Sequence, residues 1–282
     1  MGSSNNKLTA TQIISKPKVT KKQGNLSSTT LKAFAVLEVV AASSQSISIS
    51  EVAEKVRVDR STAYRMLRTL QEAGYITQDE TTKRFKLSYK VISLSRNLIV
   101  ENEVSSLIHR TLKIITDATQ ETVGLEVLDG LQTVLVQQVR GTQRVNVTFQ
   151  IGDRSMLHCT SIGKLLLAYQ DPLYVERVIA NGLVKRAVNT ITDPKEFRIE
   201  LQRIRTQGYA FDNQEEADDM CCVSVPVFES GGRVTRGFSI SGPATRFTLE
   251  KLEELKIPML EAARELSEQL GGMPWLSKSL IK

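Results

Sequence analysis

The stretch that decides the fold runs from Asp59 to Tyr75, DRSTAYRMLRTLQEAGY. Ala63, Met66, Leu67, Leu70 and Ala73 recur at i, i+3, i+4, i+7 and i+10, the spacing of one buried helix face. Ser61, Tyr64, Arg65 and Arg68 fall together on another face. Asp59 is a good N-cap, because its carboxylate can accept from the free N–H groups of the first turn. Gly74 is a natural terminator, since it reaches the left-handed conformation without a Cβ clash. The segment therefore reads as a capped amphipathic helix with a polar, arginine-bearing outer face.

Upstream, Leu31, Phe34, Ala35, Val36, Leu37, Val39 and Val40 give a helix with a broad apolar face, with Lys32 and Glu38 toward solvent. Ser48 and Glu51 have capping-box spacing, with Ile47 and Val52 placed as a hydrophobic staple, so a second helix starts there. Downstream, Tyr75–Thr77 and Arg84–Leu87 read as two short strands around the polar loop 78–83. Three helices followed by a two-stranded wing suit insertion of the third helix into a DNA major groove. Arg60, Ser61, Thr62 and Tyr64 occupy the first turns, where base edges are reachable, and Arg65 and Arg68 lie further along. Arginine can pair bidentately with guanine, and Ser and Tyr can contact phosphates or bases. Lys83 and Arg84 on the wing could reach backbone phosphate or the minor groove. The alternative is a helical subdomain with a solvated basic face.

Charge placement favours the nucleic-acid reading. The 282-residue chain carries a net charge of +6, but residues 1–90 hold 15 Lys and Arg against 7 Asp and Glu, and the remainder is slightly acidic. An asymmetry of this kind points to a polyanion partner for the first third. Residues 1–26 contain five lysines and no acid, and read as a disordered basic tail. With 41% hydrophobic and 24% charged residues, the length supports two domains with buried cores. No apolar run approaches the roughly 20 residues of a membrane-spanning helix, and the N-terminus lacks the pattern of a secretory signal. Three cysteines, two of them adjacent, cannot form a disulfide framework, so a reducing cytoplasm is expected.

The second part mixes strands and helices. Residues 88–104 read as a linker helix. Strands 121–128 and 133–139 flank Asp129-Gly130, and strands 220–228 and 233–241 flank Ser230-Gly231-Gly232, both hairpin signals. Helices are expected over 104–119, 158–170, 194–207 and 248–270. The class is α+β around an antiparallel sheet. His158, Cys159, Asp212, Cys221 and Cys222 raise a thiol- or metal-dependent hydrolase as an alternative. However, no Cys-x-x-Cys, His-Glu-x-x-His or Gly-x-Ser-x-Gly pattern supports it, so no catalytic residue, metal or cofactor is assigned. His158 reads as structural, and strand alternation puts one of Cys221 and Cys222 in the core. A third possibility is a module that binds DNA without any ligand.

Five segments carry a family resemblance. Ser61–Tyr75 resembles the recognition helix of IclR-type transcriptional regulators. Gly152–Lys164 and Gln207–Glu216 are similar to segments at that family's effector pocket, as are Cys222–Phe228 and Ser239–Pro243. The resemblance covers about residues 27–271. It implies a winged helix-turn-helix over 27–88, a linker helix over 89–104, an effector-binding domain over 105–272 and a C-terminal tail over 273–282. It also implies a homodimer or homotetramer on double-stranded operator DNA, expected to be a repressor, and a small-molecule effector of the organic-acid kind. Carried over by motif, the effector site is Met156, Cys159, Thr160, Ser161, Asp212, Cys222, Ser239, Ile240 and Ser241. Hydroxyls and backbone N–H groups there can hold a carboxylate, Asp212 can accept from a ligand hydroxyl, and Met156 can form an apolar wall. Met156, Ser161 and Asp219 depart from the residues usual in the family, which bears on effector identity and not on the fold.

Overall fold

The computed structural model describes residues 26–43, 45–99, 103–147 and 149–272. The expected tails at 1–26 and 273–282 therefore lie almost wholly outside the described residues. The chain divides into two compact units, Met1–Val100 and Glu101–Lys282.

In the first unit, helix α1 (Ser28–Ala41) is capped by the Ser27 hydroxyl, which accepts from the Thr30 N–H. Helix α2 (Ile49–Val56) has the reciprocal Ser48–Glu51 capping box, and Arg57 ends it with φ +58°. Helix α3 (Arg60–Glu72) is capped by Asp59, and Gly74 follows with φ +79°. The wing is β1 (Ile76–Gln78) paired antiparallel to β2 (Phe85–Leu87), with Ile47 bridged to Phe85. Val36, Val39, Val40, Ile47, Val52, Ala63, Leu67, Ile76 and Phe85 form the core. The apolar face of α1 is narrower than the sequence suggested. Leu31 and Phe34 are exposed, because only the Val36–Val40 end packs on α2 and α3. Ala73, at the end of the α3 stripe, is exposed as well. Helix α4 (Lys90–Ile99) closes this unit.

The second unit opens with α5 (Glu103–Thr119). Its sheet has strands β3 (Val123–Asp129), β4 (Gln132–Val139), β5 (Arg154–Met156), β6 (Ala210–Asn213), β7 (Met220–Val227) and β8 (Arg236–Pro243). They lie in the order β5-β4-β3-β8-β7-β6, every neighbour antiparallel. The β3–β4 hairpin turns through Gly130 and Leu131, one residue later than expected, with Gly130 at φ +60°. The β7–β8 connection is longer than a tight turn: the strands pair out to Val227 and Arg236, and a single 3₁₀ turn sits at Ser230–Gly232. Helices α6 (Ser161–Ala168), α7 (Pro172–Ala180), α8 (Pro194–Gln207) and α9 (Leu249–Gln269) complete the unit. β5, β6 and α7 were not anticipated.

Alternation along the strands divides two layers. Val123, Leu125, Val223, Val225, Phe238 and Ile240 pack on α5 and α9. The opposite face carries α6, with α8 packed behind it. No described helix is long and apolar enough to cross a membrane.

Candidate functional site

On α3 the residues expected to meet DNA fall into two groups. The first is already occupied within the protein. The Ser61 and Thr62 hydroxyls donate to the Asp59 carboxylate at 2.5 and 2.6 Å, which holds that carboxyl well below its usual range. The Arg60 guanidinium donates to the Ser50 hydroxyl at 2.6 Å. Arg84 donates to the Ser46 carbonyl at 2.7 Å and pairs with Glu51 at 2.8 Å. Hydrogen bonds from Ser48 and then Arg84 lower the Glu51 carboxyl to about 2. Arg84 thus ties the wing to the start of α2 instead of projecting from it. The second group is available. Tyr64 and Arg65 are exposed and make no side-chain hydrogen bond or ion pair among the described residues. Arg68 is exposed and donates to the Gln71 side-chain oxygen at 3.1 Å. Lys83 is exposed at the wing tip with φ +55°.

The second unit contains a cavity with about 50 Å³ of space for water-sized groups, open to solvent at its mouth. The sheet supplies Gly124 and Glu126 from β3, Leu135 and Gln138 from β4, Ser155 from β5, Cys222 from β7, and Ser239 and Ser241 from β8. The start of α6 supplies Thr160, Ser161 and Ile162, and the loops add Val147, Phe149, Asp153 and Glu216.

The α6 terminus is held firmly. The Thr160 hydroxyl accepts from the Gly163 N–H at 3.0 Å and donates to the Met156 carbonyl at 2.8 Å. The Ser161 hydroxyl meets that of Ser224 on β7 at 2.7 Å. The Ser161 and Ile162 N–H groups lie in the first turn, where a helix offers no internal acceptor. With the helix dipole behind them, they favour an anion at the cavity.

Three acids line the rest, Glu126, Asp153 and Glu216, and Asp153 accepts from the Gln150 N–H at 2.8 Å. Glu126 accepts from the Thr133 hydroxyl at 2.6 Å and from Ser239 at 2.8 Å. Burial pushes its pKa up, and the nearby Glu216 charge adds to that. Glu216 accepts from the Cys159 thiol at 2.8 Å and lies 3.7 Å from Arg186, which is not part of the lining. Among the described residues, none of the lining side chains is Lys, Arg or His.

Of the nine expected effector residues, Thr160, Ser161, Cys222, Ser239 and Ser241 line this cavity. The other four do not, for identifiable reasons. Ile240 alternates into the α5/α9 core between the two serines. Met156 follows the cavity-facing Ser155 on β5, and is 36% exposed. Cys159 stands behind Glu216, and Asp212 beside Cys222, with Asp212, Cys222 and Ser241 abreast on β6, β7 and β8. Asp212 accepts from the Glu215 N–H at 2.7 Å, while its other oxygen has no partner among the described residues. Burial raises this carboxyl to about 7. Glu126 and Glu216 went unassigned in the sequence. The signal for Glu126 was a charge between Leu125 and Val127 in a strand.

The thiols are not set up for nucleophilic chemistry. Burial, then the neighbouring Glu216, pushes Cys159 far above its ordinary range. Burial, then Asp212, does the same for Cys222. A nucleophilic cysteine needs the opposite surroundings. Cys221 and Cys222 are both buried, because both faces of β7 are covered. His158 is buried, with its ring nitrogen 2.8 Å from the Val184 carbonyl oxygen. Among the described residues no three His, Cys, Asp or Glu side chains converge as metal ligands do.

Comparison with known proteins gives matches over nearly the whole chain. Residues 29–80 match the family model described as IclR helix-turn-helix domain, and residues 97–268 match that of the bacterial transcriptional regulator IclR C-terminal. The HTH-type transcriptional regulator KdgR of Escherichia coli (strain K12) is 32% identical over 251 residues, covering 89% of this chain and 95% of that one. Among solved structures, the Thermotoga maritima IclR superposes with a TM-score of 0.71 at 34% identity, covering 86% of this chain and 98% of that one. An IclR homologue from Microbacterium hydrocarbonoxydans, crystallised with 4-hydroxybenzoate, has the same fold, with a TM-score of 0.73 at 20% identity, over 86% and 99% of the two chains.

Proposed function

The chain belongs to the IclR family of bacterial transcriptional regulators, and from that premise we propose how its two units carry out the work. It is a DNA-binding regulator and not an enzyme. The first unit docks α3 in the major groove of a duplex operator. Arg65 reads a base edge or grips phosphate beside Tyr64 and Arg68, and Lys83 touches the backbone from the wing. The observation that carries this reading is the exposed Tyr64–Arg65 pair, without side-chain partners among the described residues, on a helix whose opposite face buries Ala63, Met66 and Leu67. Ser61, Thr62 and Arg84 serve the fold at this interface by capping α3 and bracing the wing.

The second unit binds a small organic acid in the cavity. Its carboxylate lies against the Ser161 and Ile162 N–H groups, in the cavity that the Ser241 hydroxyl also lines. Asp212 and Cys159 position Cys222 and Glu216 from behind. Ligand binding alters operator affinity by the coupling free energy between the two sites. The protein acts as a repressor, the simplest output of a chain that holds its operator until a ligand loosens it. It works as a homodimer or homotetramer, matching the repeated half-sites such helices read.

The test is fluorescence anisotropy with a footprinted operator duplex. Arg65→Ala is expected to weaken binding by about 1–3 kcal/mol, roughly 5- to 150-fold, with the folded state intact. Unchanged affinity removes Arg65 from the interface.

A further inference from the structure

Among the described residues, four that are not glycine hold the left-handed backbone conformation: Arg57 (φ +58°), Lys83 (φ +55°), Gln120 (φ +61°) and Gln214 (φ +59°). A Cβ crowds the backbone there, at a cost that glycine avoids. In the second unit a bond to the fold offsets that cost. Gln120 donates to the Asp117 carbonyl at 2.6 Å and accepts from the Thr142 hydroxyl at 2.7 Å, and Gln214 donates to the Asp218 carbonyl. In the first unit neither side chain does this. Arg57 and Lys83 are exposed, and among the described residues their charged groups have no hydrogen bond or ion pair. Asp59, the acid nearest to Arg57 in the chain, already accepts from Ser61 and Thr62.

The fold needs the turn at Arg57 and not its side chain. The left-handed backbone lets the Val58 N–H reach the Ala53 carbonyl at 3.0 Å and sets Val58 against the core of the first unit. Glycine would supply the same turn with less strain. What arginine adds is a free cation next to α3. Arg57 stands three residues before Arg60, so its Cα lies within roughly 11 Å of the helix start, and its side chain extends further. The major groove of B-DNA is about 12 Å wide, so a helix that starts inside it brings this residue within reach of the phosphates along the edge.

We propose that Arg57 grips a backbone phosphate at the start of α3, with Lys83 as its counterpart on the wing that follows the helix. Such contacts fix how the helix enters the groove and carry no sequence information. The inference rests on the reading of α3 as the groove helix.

The experiment is fluorescence anisotropy on the full chain, with the footprinted operator and a scrambled duplex of the same length, between about 50 and 200 mM KCl. Arg57→Gly is expected to lower the slope of log affinity against log salt by about 0.9 for each subunit on the DNA, and to weaken both duplexes by the same factor. Its urea midpoint is expected to hold or rise, because glycine suits the turn. Arg57→Lys, which keeps the charge, is expected to restore the slope, and Lys83→Gly added to Arg57→Gly to remove a similar amount again. An unchanged slope in Arg57→Gly, with Arg65→Ala still weakening the operator complex, overturns the inference alone. So does a loss confined to the operator, which makes Arg57 a base contact, and so does a lower urea midpoint, which makes it a structural residue. A slope that Arg57→Lys fails to restore also counts against a phosphate grip. If the unmodified chain binds neither duplex, the DNA reading of the first unit fails and the inference falls with it.

Discussion

Lys164 is the most consequential side chain in the second unit that touches no expected ligand. It lies on α6, three residues after Ser161, and is only 1% exposed. Its ammonium is 2.5 Å from Glu215 and 3.2 Å from Glu200, whose side chains are 9% and 10% exposed. Glu215 precedes the cavity-lining Glu216 in the chain, so this buried triad pins the cavity's α6 wall and its acid loop to α8. Lys164→Met keeps the volume and removes the charge, leaving two buried carboxylates facing each other. Breaking a buried pair from one side costs about 3–5 kcal/mol. For a unit of this size, that lowers the unfolding temperature by roughly 6–20 °C. The loss should depend on pH. Burial already raises the Glu215 carboxyl, and removing Lys164, which opposes that rise, lifts it further. The folded variant then holds a proton that the unfolded chain releases, so its stability falls as pH rises through the folded value. The deficit is therefore small below the ordinary carboxylate range and full once pH exceeds the raised folded value. Urea unfolding followed by circular dichroism at pH 5 and pH 8 measures both effects. Adding Glu215→Gln should recover much of the loss, which a double-mutant cycle reads as coupling. A loss below about 1 kcal/mol at pH 8, or the same loss at both pH values, refutes the claim that Lys164 neutralises this cluster.

Two further substitutions test the cavity's frame. Asp212 has a folded pKa of about 7 against an ordinary 3.8, so its contribution to stability is intact below pH 4 and lost as pH rises through 7, by at most about 4 kcal/mol. Asp212→Asn keeps the oxygen that accepts from Glu215 and should flatten that decline, giving a variant more stable than the parent at pH 8; parallel pH profiles would show that Asp212 does not titrate there. Gly163→Ala places a Cβ 2.5 Å from the Met156 carbonyl oxygen and 2.7 Å from the Leu157 Cα. Although alanine favours helix by about 1 kcal/mol, unfolding temperature and ligand response should both fall, and a rise in either contradicts the close packing of α6.

The first unit was legible because its signals are local. Ser48 with Glu51, Asp59 with Thr62, and Gly74 each act within one turn of helix, so sequence spacing alone locates α2 and α3. What sequence could not show was which basic residues are spent internally. Arg84 is committed to Glu51 and Ser46, residues 33 and 38 positions away, and no spacing rule reaches that far. The second unit was legible where helices have strong periodicity, as at α8 and α9. It was not legible at β5 and β6, strands of three and four residues whose partners alone define them. The effector motifs came through resemblance, and so carried whole tripeptides without distinguishing the two faces of a strand. That is why Ile240 entered with Ser239 and Ser241.

The same alternation explains how this sheet can carry a ligand site without compromising its core. On β8, Phe238 and Ile240 are fully buried against α5 and α9, while Ser239 and Ser241 line the cavity. On β3, Val123 and Leu125 face the core, while Gly124 and Glu126 face the ligand side. A one-residue slip would exchange the two sets, so core packing itself fixes the register of the site. A Cβ on Gly124 would lie 2.7 Å from a Leu135 methyl and 3.4 Å from the Ser239 hydroxyl. Any larger residue there must push Leu135 aside or fill the space in front of Glu126. The open space of the cavity is thus kept in part by a glycine, and the polarity of its wall by the acid two residues on.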